Sequence, residues 1–289
     1  MKAWNLQSNK IAFFNSHIDY YKICAIFRII VVSLAIIDFI SVFRDLRLFL
    51  SPHSIVPLEL GLLETEYYHI IYPIHDFIKV TGLSLATTIY TLSFLYLLFL
   101  VLCLIGFKKY ISFFFAIVFQ ILLFRSMPNH NYGYDHFMTM SLFYCLLFPV
   151  DQHFSITKKT ETPAYKHSFF KLTFFLKVHL CIVYFTSGIA KAVDPNWWDG
   201  NAIWRALANM NDFPYVPPIF FAMLSVATVL LELLYPFLIY TKLRKLTIIH
   251  VILMHMGIGL LMGLSSFAAV MISWNLVAFY DDFRFKTKN

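Results

Sequence analysis

Residues 83–106 read LSLATTIYTLSFLYLLFLVLCLIG, a run without one charged side chain. Wound as an α-helix at about 1.5 Å per residue, it is ~36 Å long, enough to cross a hydrocarbon core of about 30 Å. The stretch therefore predicts a membrane helix. Seven further apolar runs flank it, at 23–43, 110–127, 132–150, 168–189, 217–240, 246–264 and 267–280. The runs at 110–127 and 132–150 are short and meet at the polar knot MPNHNYGYDH, residues 127–136. The last two are separated only by GLSS, residues 263–266. The expected fold class is all-α: a polytopic membrane bundle of about eight transmembrane helices.

Composition agrees with lipid as the solvent. The chain has 289 residues, 60% hydrophobic and 13% charged, with a mean hydropathy of +0.69. Soluble domains carry about 25% charged residues. The expected organisation is one transmembrane domain over 1–289, with a short cytoplasmic segment 1–21 and a cytoplasmic tail 281–289. The first apolar run starts near Ile23 after a mixed polar stretch and lacks a small-residue cleavage site, so it reads as the first span and not as a leader.

The formal net charge of +7 does not indicate nucleic acid, because the cations sit in short loops between spans. Lys2, Lys10 and Lys22 precede the first span, and Lys108 and Lys109 follow the second. Lys158, Lys159 and Lys166 follow the fourth, and Lys242, Arg244 and Lys245 the sixth. Arg284, Lys286 and Lys288 lie in the tail. With an even number of spans these segments share one side, which the positive-inside rule makes the cytoplasm; the expected membrane is a bacterial inner (plasma) membrane. Glu59, Glu64, Glu66, Asp76, Asp194, Asp199 and Asp212 fall opposite. Two outer segments, 47–81 and 191–216, are too long for turns. They are expected as short helices on the outer face, with Trp197, Trp198 and Trp204 in the headgroup zone. Cys24, Cys103, Cys145 and Cys181 lie inside apolar runs and form no CxxC pair, so they read as small packing residues.

Ionisable groups within spans cost several kcal/mol unless paired or facing a wet cavity, so each is a candidate site. Arg28 and Asp38 lie ten residues apart in the first span, ~15 Å along a helix, and are expected to find partners on other helices. Glu232 in LLELLYP reads as a buried partner for a histidine or arginine, or as a protonated packing residue. Asn129, His130, Asn131, Tyr132, Asp135 and His136 crowd the start of the fourth span, where Asn and Asp suit a helix cap. His130 and His136 are six apart and face away from each other on a regular helix, so no metal site is expected. Lys191 follows the apolar run CIVYFTSGIA. It reads either as a lysine snorkelling to the interface or as an amine kept from water and able to act as a base. His255, His179 and Lys177 read as core groups or as site groups. The span boundaries place Lys191, His130 and the turn near Ser265 at outer ends, with His255 at mid-depth. That collects them in a polar pocket open to the outer leaflet, which suits an apolar quinone or lipid.

The segment YFTSGIAKAVDPNWWDG resembles the stretch that carries the catalytic lysine in vitamin K-dependent gamma-glutamyl carboxylases and in the wider horizontally transferred transmembrane (HTTM) domain family. The likeness rests on Tyr184, Phe185, Gly188, Lys191, Trp198 and Gly200. FRIIVVSLAIID, with Arg28 and Asp38, resembles the family's first helix. NHNYGY, with Asn129 and His130, resembles its Asn-His segment. HMGIGLLMGLSSFAAVMI, led by His255, resembles its histidine-led helix pair. The resemblance runs over roughly 20–280.

The resemblance implies a quinone-dependent, carboxylase-like lyase. The lysine deprotonates vitamin K hydroquinone, oxygen adds, and the strongly basic alkoxide that forms removes a proton from the gamma carbon of a glutamate, to which carbon dioxide adds. By carry-over, Lys191 is the base and His130 steadies the oxyanion. His255, Asn129, Tyr132 and Trp198 line the pocket, and Arg28, Asp38 and Glu232 are structural. The implied cofactor is a reduced quinone of vitamin K or menaquinol type, without a metal. The implied partners are the bilayer, the quinone or a lipid, and a protein supplying the soluble region that the carboxylases carry. Ala190 stands where the family has a second lysine. The other expectation is a non-enzymatic membrane subunit or lipid-binding scaffold that keeps the fold without the chemistry.

Overall fold

The computed structural model describes residues 2–50, 82–124, 127, 132–157, 164–208 and 216–283, with the backbone alone over 2–19 and 164–170 and at 47, 50 and 85. Among them every regular element is helical. The α-helices are α1 (Lys2–Val42), α2 (Leu46–Leu50), α3 (Leu85–Leu104), α4 (Lys109–Phe124), α5 (Gly133–Leu147), α6 (Ala164–Ala192), α7 (Asn201–Leu207), α8 (Pro218–Leu238), α9 (Arg244–Leu261), α10 (Ser265–Ala278) and α11 (Tyr280–Phe283). A 3₁₀ turn covers Pro195–Trp197.

A helix stands at each of the eight apolar runs, and five are long and apolar enough to cross a membrane: Tyr20–Val42, Ala86–Leu104, Lys171–Ala192, Pro218–Leu238 and Arg244–Leu261. The chain is thus a membrane protein, helical in all the regular structure of its described residues. α4, α5 and α10 are shorter, at 16, 15 and 14 residues, or about 21–24 Å. Their ends give way to the polar knot before Tyr132 and to the turn at Gly263, whose φ of +71° suits only glycine without strain.

The contacts divide the chain into two compact units, Met1–Phe169 and Phe170–Asn289. In the first, α3, α4 and α5 follow one another as packed neighbours and α1 packs on α3 and α5. Phe39 meets Tyr96 edge to face at 5.1 Å, and the Tyr96 hydroxyl donates to Gln120 Oε1, a bond that joins α3 to α4 inside the apolar core. The stretch after α5 is fixed by three anchors. Arg28, fully buried, donates through Nη1 to the Val150 carbonyl at 3.0 Å and through Nη2 to the Phe154 carbonyl. Lys109 Nζ donates to the Phe148 carbonyl at 3.0 Å, with Asp151 4.0 Å away. The Ile156 amide donates to Ile105, and Ser155 and Thr157 donate to Gly106.

In the second unit α8 packs on α9, and α9 on α10. α6 runs antiparallel to α8: Tyr184 lies beside Tyr235 at 4.4 Å between ring centroids, and Lys191 reaches Glu232. Gly188 makes this crossing close, since a Cβ there would stand 2.8 Å from the Leu233 amide nitrogen. Residues 195–207 continue along the first half of α8, where Gly200, at φ +88°, has room for no side chain against Phe221 and Ala222. The described part of the 191–216 segment is thus helical, as expected, and packed on α8. Residues 51–81 of the other segment lie outside the described residues.

Candidate functional site

Lys191 stands in the last turn of α6, where a cation is favoured by the helix dipole. One turn back, Ser187 Oγ accepts from its ammonium at 2.5 Å. Across the helix crossing, Glu232 Oε2 accepts at 2.6 Å. The Trp197 ring lies under the same nitrogen, 5.1 Å to its centroid, within cation–π range. The Lys191 side chain is 19% exposed and that of Glu232 only 7%. Glu232 therefore pairs with a lysine, where the sequence suggested a histidine or arginine.

The depth of this pair is not what span boundaries alone suggest. Lys191 ends its own helix, but Glu232 lies fourteen residues after Pro218 in α8. That is ~21 Å from one end of α8 and ~9 Å from the other. The lysine that sequence placed at an outer helix tip is level with the interior of a membrane-length neighbour.

A second polar group sits beside it on the same helices. His255 on α9, 3% exposed, shares a hydrogen bond of 2.9 Å between its Nε2 and the Tyr184 hydroxyl. Asn275 on α10, fully buried, donates from Nδ2 to the Tyr184 oxygen at 2.9 Å and to the Met271 carbonyl at 2.9 Å. Tyr235 on α8 donates to Asn275 Oδ1 at 2.9 Å. Four helices thus meet on a hydrogen-bonded string, His255–Tyr184–Asn275–Tyr235. Tyr184, Ser187, Gly188 and Lys191 recur at helical spacing on one side of α6, and Glu232 and Tyr235 do so on α8.

The other expected site residues fall elsewhere. Trp198, 48% exposed, donates its indole N–H to the Ala192 carbonyl at 2.8 Å and so ties the 3₁₀ turn to the end of α6. Tyr132 belongs to the first unit. It is exposed, stacks on Tyr134 at 5.7 Å, and its amide donates to Asp135 Oδ2 at 2.9 Å. Asp135 is thus the cap that the sequence allowed. Arg28 is held by main-chain carbonyls, and the Asp38 carbonyl accepts from Ser41 Oγ. His130, Asn129 and Asn131 lie outside the described residues. Among the described residues no group of three or more His, Cys, Asp or Glu could hold a metal ion.

Sequence reading missed Ser187, Tyr235 and Asn275, and gave Trp197 only a place in the headgroup zone. Asn275 carried the clearest signal, as a lone amide in the apolar run SFAAVMISWNLVAF. Ser187 and Tyr235 were visible only as positions one turn from Lys191 and Glu232. No family model matches the chain, and no curated protein and no solved structure matches it.

Proposed function

We propose that the chain is a membrane enzyme of the HTTM kind that removes a proton from an apolar hydroxyl compound, a reduced quinone of vitamin K or menaquinol type, at Lys191. The observation that supports this most is the 2.6 Å pair of Lys191 and Glu232 inside the length of α8. An amine and a carboxylate at that distance share one proton at rest and can take a second. The quinol O–H gives its proton to Lys191 as Lys191 passes its own to Glu232. The quinol leaves as an aryloxide beside an ammonium, and Glu232 as a neutral acid. A site of low water content favours this, because the new ion pair then forms against a fixed cation without the loss of a hydration shell.

In this reading all eight apolar helices cross the membrane, both termini are cytoplasmic and the membrane is a bacterial plasma membrane. Trp198, tied to the end of α6, borders the pocket, as the resemblance implies. Carboxylation of a glutamate follows only where a partner protein brings one.

The test is quinol consumption by the protein in lipid nanodiscs, supplied with menaquinol and oxygen. Lys191→Ala and Glu232→Gln are expected to lower it at least a hundredfold, the scale of a lost acid–base group. Turnover unchanged by either substitution overturns the reading. One observation favours the non-enzymatic alternative: Lys191 has two oxygen acceptors and an aromatic face, the full set a structural ammonium needs. A stoichiometric partner protein that co-purifies without quinone supports that scaffold role.

A further inference from the structure

The hydrogen bonds around Tyr184 have a direction, and the direction fixes a histidine. The Met271 carbonyl can only accept, so the Asn275 amide atom facing it is the nitrogen. The same nitrogen reaches the Tyr184 oxygen, and the Asn275 carbonyl takes the Tyr235 hydrogen. Tyr184 thus receives one hydrogen bond from Asn275 and has a single hydrogen to give. The partner left for that hydrogen is His255 Nε2, at 2.9 Å. A ring nitrogen that accepts is bare, so the proton of the neutral imidazole is on Nδ1.

His255 Nδ1 is enclosed and has no partner among the described residues. An unmatched N–H in an apolar interior costs about 1–3 kcal/mol, and three residues on three helices are spent on keeping it a donor. The same unit encloses a second unpartnered polar atom, Ser225 Oγ. Ser225 lies two turns before Glu232 on the buried stripe of α8. Asn275 also interrupts proton movement, because an amide cannot pass a proton on, so the string orients and does not conduct.

We infer that His255 is a tautomer-locked Nδ1–H donor for the carbonyl oxygen of an apolar ligand, with Tyr184, Asn275 and Tyr235 as its positioning residues. This deepens the proposed reading, on which the ligand's class rests, for the oxidised form of the same couple: the quinol that Lys191 deprotonates carries hydroxyls, and the ring carbonyl belongs to the quinone. The lock itself stands on the hydrogen bonds alone. A carbonyl oxygen fits because it accepts without bringing a charge or a hydrogen of its own. Two sources carry that chemistry: a quinone ring carbonyl and a phospholipid ester carbonyl.

Nitrogen-15 NMR of the full-length protein, labelled at histidine and held in bilayers, tests both parts. The His255 signal is identified as the one missing from His255→Gln among the eleven histidines. A protonated Nδ1 with a bare Nε2 is the expected result, and a protonated Nε2 overturns the inference. Tyr184→Phe, which keeps the ring, and Asn275→Leu are each expected to release the lock and give a mixture of tautomers. An unchanged single tautomer in Tyr184→Phe overturns the positioning role. The ligand arm adds menadione to protein in ether lipid, which lacks ester carbonyls. A shift of the Nδ1 signal assigns the acceptor to the quinone, and a shift only between ester and ether lipid assigns it to the lipid. No shift in either overturns the ligand half. Lys191→Ala separates the two proposals: it lowers quinol consumption at least a hundredfold but leaves the His255 tautomer in place. In wild-type protein, inactivity toward quinol with a menadione response still present would remove the proton-transfer reading and keep this one.

Discussion

Gly188 on α6 lies against the backbone of Leu233 on α8, so that a methyl group at 188 would stand 2.8 Å from the Leu233 amide nitrogen. Backbone cannot yield as a flexible side chain does, so the helices would have to move apart. Leu233 adjoins Glu232, and Gly188 precedes Lys191 by one turn, so the separation would be felt at the 2.6 Å pair. Small residues let membrane helices approach this closely.

Gly188→Ala is therefore expected to destabilise the protein by about 1–3 kcal/mol, the usual cost of overpacking. Gly257 on α9 is the control, since nothing lies within 4 Å of a Cβ built there. Gly257→Ala should be neutral or stabilising by up to about 1 kcal/mol, from helix propensity alone. Thermal unfolding of both variants in detergent checks the contrast, and an equal response would show that the crossing is not close.

The Lys191–Glu232 pair makes a second expectation. Removing one partner of a buried pair costs about 3–5 kcal/mol, because the other charge is stranded. Lys191 is partly exposed, which pulls the figure to the bottom of that range or just below it. Lys191→Met and Glu232→Leu are each expected to cost about 2–3 kcal/mol, while the double variant costs less than either alone. Additive single effects in a double-mutant cycle would mean that the two groups do not interact.

How much of this was legible in the sequence follows from what each feature depends on. Apolar length placed a helix at all eight runs because, in lipid, only a helix satisfies its own backbone. The helix ends were less legible, since α4, α5 and α10 stop where polar knots and a positive-φ glycine begin. Lys191 and Glu232 stood out as charges in apolar surroundings, but their pairing depends on how far α6 slides along α8. That register is set by Gly188 and Gly200, and no spacing within one helix reports it. Asn275 and Tyr235 were hidden for the opposite reason: uncharged polar residues are common enough in spans that only their meeting at Tyr184 marks them.

Arg28 presents a geometric demand that charge alone cannot meet. Its guanidinium bonds two carbonyls four residues apart, Val150 and Phe154, from a fully buried position on α1. A lysine at this position has one nitrogen and no fork. Arg28→Lys is expected to lose one of the two anchors and about 1.5–3 kcal/mol, the worth of a hydrogen bond to a charged group. Hydrogen exchange at the Ile156 amide, which donates to Ile105 at 3.0 Å, should accelerate in this variant. Exchange as slow as in the wild type would show that the Lys109 and Gly106 anchors suffice.

The last expectation concerns which short helices cross the membrane. α10 spans only 14 residues, ~21 Å, against a core of about 30 Å. Arg244, at the start of α9, nevertheless bonds Asp282 in α11 at 2.5 Å, and Lys245 lies over the Phe283 ring at 5.7 Å. The chain leaves along α9 and returns along α10 and α11 to the level from which it started. α9 covers Arg244–Leu261 and the return covers Ser265–Phe283, nearly equal lengths. If α9 crosses, the return path crosses too, and local thinning or tilt absorbs the short apolar stretch. In a variant lacking the four native cysteines, single cysteines at Lys242 and Asp281 are expected to react with an impermeant thiol reagent from the same side. One at Gly263 should react from the other side. Positions 242 and 281 labelled from opposite sides would break the hairpin, and with it the even number of spans proposed above.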